Sequence, residues 1–289
     1  MLGGQIRAQS GEGTLAPAGE SNSGNVLMVR MLENFERHAS MTAKVRHQCR
    51  LYDDTLVGSG NYWQQGSGDQ SLTCFEMQTQ MAGKTASFIQ IYDGKHLWTD
   101  RNFQSGRMVR RLEVARLQSS LAAGGKGAYQ KRLAAASVRG GVSQMLADLQ
   151  HRFDFDPPLP MQLNGTPVHA LVGHWRKSGL KELWPDFDTT TEEGEAPEWP
   201  AQLPHHVLLL VGQGNLFPYV IEHRRFEDAY LVDTVTGLRP ANDPLLRYEL
   251  FNVQFAVAID PQKFVYKTGG VEWTDETMAV MGRLNLQRR

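Results

Sequence analysis

The chain has 289 residues, of which 41% are hydrophobic and 21% charged, the make-up of an ordinary folded protein rather than a disordered or fibrous one. Thirty lysines and arginines against 31 aspartates and glutamates leave a net charge of −1, which excludes the basic balance of a nucleic-acid binder. No apolar run approaches the ~20 residues needed to cross a bilayer as a helix.

Residues 1–24 are rich in Gly, Ser and Ala and poor in apolar side chains, so a disordered tail is expected there. The same composition suits either a plain tail or the remnant left by a cleaved export signal. Residues 25–40 place Val26, Met28, Val29, Leu32 and Phe35 on one helical stripe, with Asn25 as its N-cap. Residues 43–103 then read as a run of short antiparallel strands. Phe75, Met77 and Met81 alternate with Glu76, Gln78 and Gln80, which marks a half-buried strand. Gly58 and Gly60 share one strand face, where they permit strong bending. Asp93-Gly94 suits a two-residue type I′ hairpin turn.

A further strand is expected over 107–114, and helices over 115–123 and 142–152. The alanine-rich interval 126–137 has helical character too. Four more strands follow at 167–176, 205–213, 219–226 and 247–255. Between the first two lies an acidic, Thr- and Pro-rich stretch, 178–204, expected to be a long loop. The tail around 272–285 ends in a short helix.

These elements bring a resemblance with them. The residues Asp93, Gly94, Lys95, Leu97 and Trp98 in the hairpin, and Phe264, Tyr266, Asp275 and Thr277 near the end, occur in an order that resembles the LolA-like superfamily of bacterial envelope lipoprotein and lipid carriers. The resemblance runs over about residues 25–285. It implies an α+β fold: a strongly curved, unclosed antiparallel sheet (an open half-barrel) with helices packed on the concave face. Residues 25–289 would form a single such domain. It implies a periplasmic or exported setting and an acyl chain or lipidated protein as partner. Each methylene moved into an apolar groove contributes about 0.8 kcal/mol, so roughly ten give a gross figure near that of micromolar binding.

On this reading Phe75, Met77, Ile89, Ile91 and Trp98 line the apolar groove; the plainer reading makes them ordinary core beneath the helices. Tyr62 and Trp63 point to opposite faces, so only one joins the set. Other candidates carry less. His205 and His206 are adjacent on a strand and face opposite ways, as do His169 and His174, so neither pair forms a shared metal site. Residues 212–217, GQGNLF, read as a turn rather than a phosphate loop. Ser59 and Ser67 lack the nucleophile-elbow context. Asn164-Gly165-Thr166 matches a glycosylation sequon followed by Pro167. The carboxylates Asp186, Asp188, Glu192, Glu193 and Glu195 read as a solvated loop. Cys49 and Cys74 lie on different strands, and two buried free thiols are the simplest expectation. No cofactor, metal or catalytic motif emerges. Besides lipid carriage, the alternatives are an envelope protein-interaction module without cargo and a hydrolase built on a constellation the sequence does not display.

Overall fold

A computed structural model describes residues 23–283 except 52–53, 82, 104, 124–132, 186–198, 201–202, 226–229, 234–236 and 241–242. Helix α1 (Ser23–Arg37) leads into six antiparallel strands laid side by side in sequence order. These are β1 (Ser40–Leu51), β2 (Asp54–Gln65), β3 (Leu72–Met81), β4 (Lys84–Tyr92), β5 (His96–Phe103) and β6 (Gly106–Glu113). Helices α2 (Val114–Ala123) and α3 (Gly141–Arg152) follow. The chain then makes β7 (Phe153–Phe155), β8 (Leu159–Leu163), β9 (Thr166–Trp175), helix α4 (Lys177–Leu183), β10 (His206–Gly212) and β11 (Pro218–Arg224). A separate hairpin, β12 (Tyr230–Asp233) with β13 (Gly237–Pro240), precedes β14 (Leu246–Phe255), β15 (Trp273–Asp275) and α5 (Thr277–Arg283).

Thirteen strands make one curved sheet that does not close on itself, running from β15 and β6 at one edge to β7 and β8 beside β9 at the other. The two halves of the chain join where β14 pairs with β1, setting Val45 opposite Leu250 and His47 opposite Tyr248. The expected α+β half-barrel with helices against one face is therefore present.

Packing defines two faces. On the concave side, α1 buries Leu27, Met28, Met31, Leu32 and Phe35, and α3 buries Val142, Leu146 and Leu149, against Met41, Val45, Tyr62 and Leu250 of the sheet. The α1 stripe is turned slightly from the expected one: Val26 is exposed, while Leu27 and Met31 take the core positions. Asn25 does not act as a cap. Its side chain accepts from the Phe155 N–H and donates to Asp154, which ties α1 to β7. The α3 entry explains the paired glycines. Gly141 has φ +61 and donates its N–H to Gln90 Oε1, and an added Cβ would sit 3.0 Å from the Tyr62 ring. Gly141→Ala is expected to lower unfolding free energy by about 1–3 kcal/mol in denaturant titrations; unchanged stability would mean the turn tolerates a side chain.

Several local expectations are revised. The β4–β5 turn is centred one residue later than expected, on Gly94-Lys95, and positive φ falls on Gly94 alone, the pattern of a II′ turn. The true Asn-Gly turn lies elsewhere: Asn164 (φ 49) and Gly165 (φ 81) join β8 to β9. Residues 178–183 of the expected loop are helical, and its carboxylates Asp186, Asp188, Glu192, Glu193 and Glu195 lie outside the described residues, as does the tail before residue 23. Cys49 faces the concave side and Cys74 is buried on the convex side, both as free thiols.

The convex face is crossed by the C-terminal segment. After β14, residues 256–272 run across the outer surface, placing Ile259, Phe264 and Tyr266 over Cys74 and Ile91. β15 then joins β6 in parallel, and α5 turns round that edge to pack Met281 against Val114 and Leu117 of α2. The two motif blocks meet in this crossing. Tyr266 stacks on Trp98 at 5.0 Å and donates from its hydroxyl to Asp100. Arg111, from β6, donates to Asp275 at 2.7 Å, and Asp275 accepts the Thr277 N–H. Asp93 accepts from the N–H groups of Lys95 and His96 and from the Trp98 indole. These contacts hold the outer segment in place, while Leu97 of the hairpin block faces the other way, against Val114 and Leu117 of α2.

Candidate functional site

The register of the β3–β4–β5 meander separates the five residues expected to line the groove. Phe75 stands opposite Gln90 and Met77 opposite Phe88, so Phe75 and Met77 face the helices. Ile91 stands opposite Cys74 and Trp98, and Ile89 opposite Glu76 and Asp100. Ile89, Ile91 and Trp98 therefore lie on the convex face, beneath the crossing segment, and not with Phe75 and Met77. Tyr62 joins the inner set and Trp63 the outer one.

The middle of the concave side is packed by the protein itself. Ring contacts run from Phe88 to Phe75 (6.2 Å), Tyr62 (6.4 Å), Phe35 (5.9 Å) and Phe217 (5.9 Å). The Tyr62 hydroxyl donates to Gln64 Oε1 at 2.7 Å, and Gln64 donates to the Phe35 carbonyl, so the one polar group within the chain of rings is satisfied. Burial drives the Tyr62 pKa far above its ordinary value. A buried ion pair, Arg139 Nη1 to Glu36 Oε1 at 3.1 Å, fastens the α3 entry to α1.

The core stops at one end of the sheet. Val45, Leu250, Ile221 and Val207 are buried, but the next residues on the same face are His47, Tyr248 and His223, then Cys49 and Leu246. With Leu56 opposite Cys49, these form a half-exposed surface of mixed apolar and imidazole character. His47 lies 5.0 Å from the Tyr248 ring. Neither the His47 nor the His223 Nδ1 atom has a hydrogen-bond partner, although both atoms are buried. Burial holds the His223 pKa down near about 4 and lowers that of His47, so both are neutral at pH 7. The same desolvation raises Tyr248 to about 12 and raises Cys49. The sequence signal for this surface was available: His47 and Cys49 continue the Met41, Ala43, Val45 alternation, so polar side chains fall on the core face.

The remaining candidates stay apart. His174 contacts Asp156 at 3.0 Å on the surface, while His206 faces His174 across 6.4 Å between ring centres. Among the described residues no three His, Cys, Asp or Glu side chains gather as a metal site. GQGNLF forms the connection between β10 and β11, with Leu216 at φ 50. Ser59 and Ser67 are exposed.

The described residues thus form an unclosed, curved, largely antiparallel sheet with helices filling its hollow side. No protein-family model matches the chain, and no curated protein does. Among solved structures, similar chains include one from the Pseudomonas aeruginosa MucA/MucB complex (9% identity, 85% of this chain and 62% of that one, TM-score 0.41). Others are the Mycobacterium tuberculosis lipoprotein LppX (11%, 83% and 100%, TM-score 0.37) and a LolA superfamily protein of Nitrosomonas europaea (11%, 83% and 96%, TM-score 0.29). The chain thus spans under two thirds of its MucA/MucB counterpart. At these identities and TM-scores the likeness carries no conclusion about role.

Proposed function

We propose that the protein is a non-catalytic binder of a lipid acyl chain or a lipidated protein in the bacterial cell envelope. The supporting observation is the open end of the concave face, where Leu56, Leu246 and Tyr248 remain half-exposed beside two imidazoles whose Nδ1 atoms make no hydrogen bond. An acyl chain entering there removes apolar surface from water, worth about 0.8 kcal/mol per methylene. Deeper entry requires α1 and α3 to shift. Met28 and Met31 of α1 and Met41 and Met77 of the sheet form the layer between helix and sheet, and methionine repacks readily around an added chain. Phe75 and Met77 belong to that deeper layer; Ile89, Ile91 and Trp98 have no part in the proposal.

The test is lipid extraction of the purified protein with mass spectrometry, together with titration of cis-parinaric acid into delipidated protein. Wild type should bind saturably, and Leu246→Glu at the open end should abolish binding with its circular dichroism unchanged. Protein that carries no lipid and takes none when offered would sink the reading. A second reading, a docking module without cargo, draws on Phe103 and Met108, which are exposed on the same face of the β5–β6 hairpin. Under that reading Met108→Asp, not Leu246→Glu, removes the activity.

A further inference from the structure

A second site lies on the opposite face, in a part of the sheet the acyl reading does not use. An open pocket of about 490 Å³ is lined by Thr42, Lys44, Asn61, Trp63, Asn252 and Gln254 from β1, β2 and β14. That volume falls in the range of small-ligand sites, about 300–1,000 Å³. A β-bulge builds it. Thr42 pairs with Gln254 but Lys44 pairs with Phe251, so Asn252 and Val253 both stand opposite Ala43. Ala43 and Val253 also border the pocket, although both pack toward the concave core, so it is their main chain that forms the floor. Bulges of this kind re-aim a side chain. Here Asn252 adopts φ +50, the left-handed conformation that asparagine tolerates better than most non-glycine residues.

The lining chemistry selects the ligand. Asn61, Asn252 and Gln254 supply three carboxamides, each able to donate and accept. Thr42 adds a hydroxyl. Lys44 donates to Asn61 Oδ1 at 2.8 Å, which leaves that amide's N–H₂ group as its donor. Lys263 sits 4.2 Å from the Trp63 ring and holds the indole in place, leaving its remaining surface as an apolar border. Among the described residues no carboxylate lines the pocket, so the lining does not suit a metal cation, and its polar walls do not suit an acyl chain. Alternating donors and acceptors beside an indole match a ring that carries hydroxyls on its edge and C–H groups on its face.

We propose that this pocket binds a saccharide, read by the three carboxamides and bordered by Trp63. The site is independent of the acyl-binding reading and stands or falls separately. The experiment titrates chitotetraose and maltotetraose into full-length protein, following side-chain amide resonances of Asn61, Asn252 and Gln254 and tryptophan fluorescence. Saturable shifts in those amides with at least one sugar are expected. Asn252→Gly removes one carboxamide while relieving the positive φ, so it should fold at least as stably as wild type. It should weaken sugar binding roughly tenfold, the loss of about one good hydrogen bond. Gln254→Ala should act in the same direction. No saturable shift with either sugar, or unchanged affinity in Asn252→Gly, would overturn the proposal.

Discussion

Arg139→Ala is expected to lower the unfolding free energy by about 3–5 kcal/mol, because it removes the guanidinium that pairs with the buried Glu36 carboxylate. Both side chains are almost wholly excluded from solvent, and their contact at 3.1 Å joins helix α1 to the start of α3. The loss should appear in urea titrations as a lower midpoint. The double variant Glu36→Leu/Arg139→Met should recover most of it, since a buried pair replaced by apolar groups is often nearly neutral. A cost below about 1 kcal/mol for Arg139→Ala would mean that water reaches Glu36. The same pair pins the cover over the concave face, so on the acyl-binding reading its removal should also speed lipid uptake.

Acid should destabilise the protein through His223 before most carboxylates titrate. Its folded-state pKa is held near about 4 by burial, against an ordinary value of 6.5. The unfolded chain therefore binds the extra proton first as pH drops. Stability conferred by the neutral ring is complete above pH 6.5 and is lost between pH 6.5 and about 4, by a total on the order of 2–3 kcal/mol. His47 is shifted in the same direction and steepens the slope. Asp275 acts in a lower window: Thr277 and Arg111 hold its pKa near about 2, so its contribution fades only as pH falls from 4 toward 2. Urea titrations at pH 7, 5.5 and 4.5 test the assignment. His223→Gln should flatten most of the slope; an equally steep slope in that variant would place the titrating group elsewhere.

Much of the architecture was legible because its elements announce themselves locally. The strand read over 107–114 is β6, Gly106–Glu113, and the helix read over 142–152 is α3, Gly141–Arg152. What failed was information held between elements. Alternation within β3 and within β4 is plain, but which face of one matches which face of the other depends on the hairpin register. That register puts Phe75 beside Gln90 rather than beside Ile89 or Ile91. Trp98 follows Ile91 to the outer face for the same reason. The 256–272 segment has no regular periodicity, and its anchors Phe264 and Tyr266 find partners more than 160 residues earlier, at Ile91 and Asp100. The Asn164-Gly165 turn was a strong local signal passed over as a sequon, and strand β8 was missed with it. The saccharide pocket was illegible because a bulge between strands 200 residues apart creates it.

The pairing of β1 with β14 sets a timetable for biosynthesis. One side of β1 gains its neighbour β2 almost at once, but the other waits for residues 246–255. At about 5–20 residues per second, ribosomes need roughly ten to forty seconds to supply them. Throughout that interval the nascent chain presents an unmatched strand border and a core lacking Leu250, a template for joining other unfinished copies. Until residues 246–255 emerge, that border stays open to pairing with other unfinished copies.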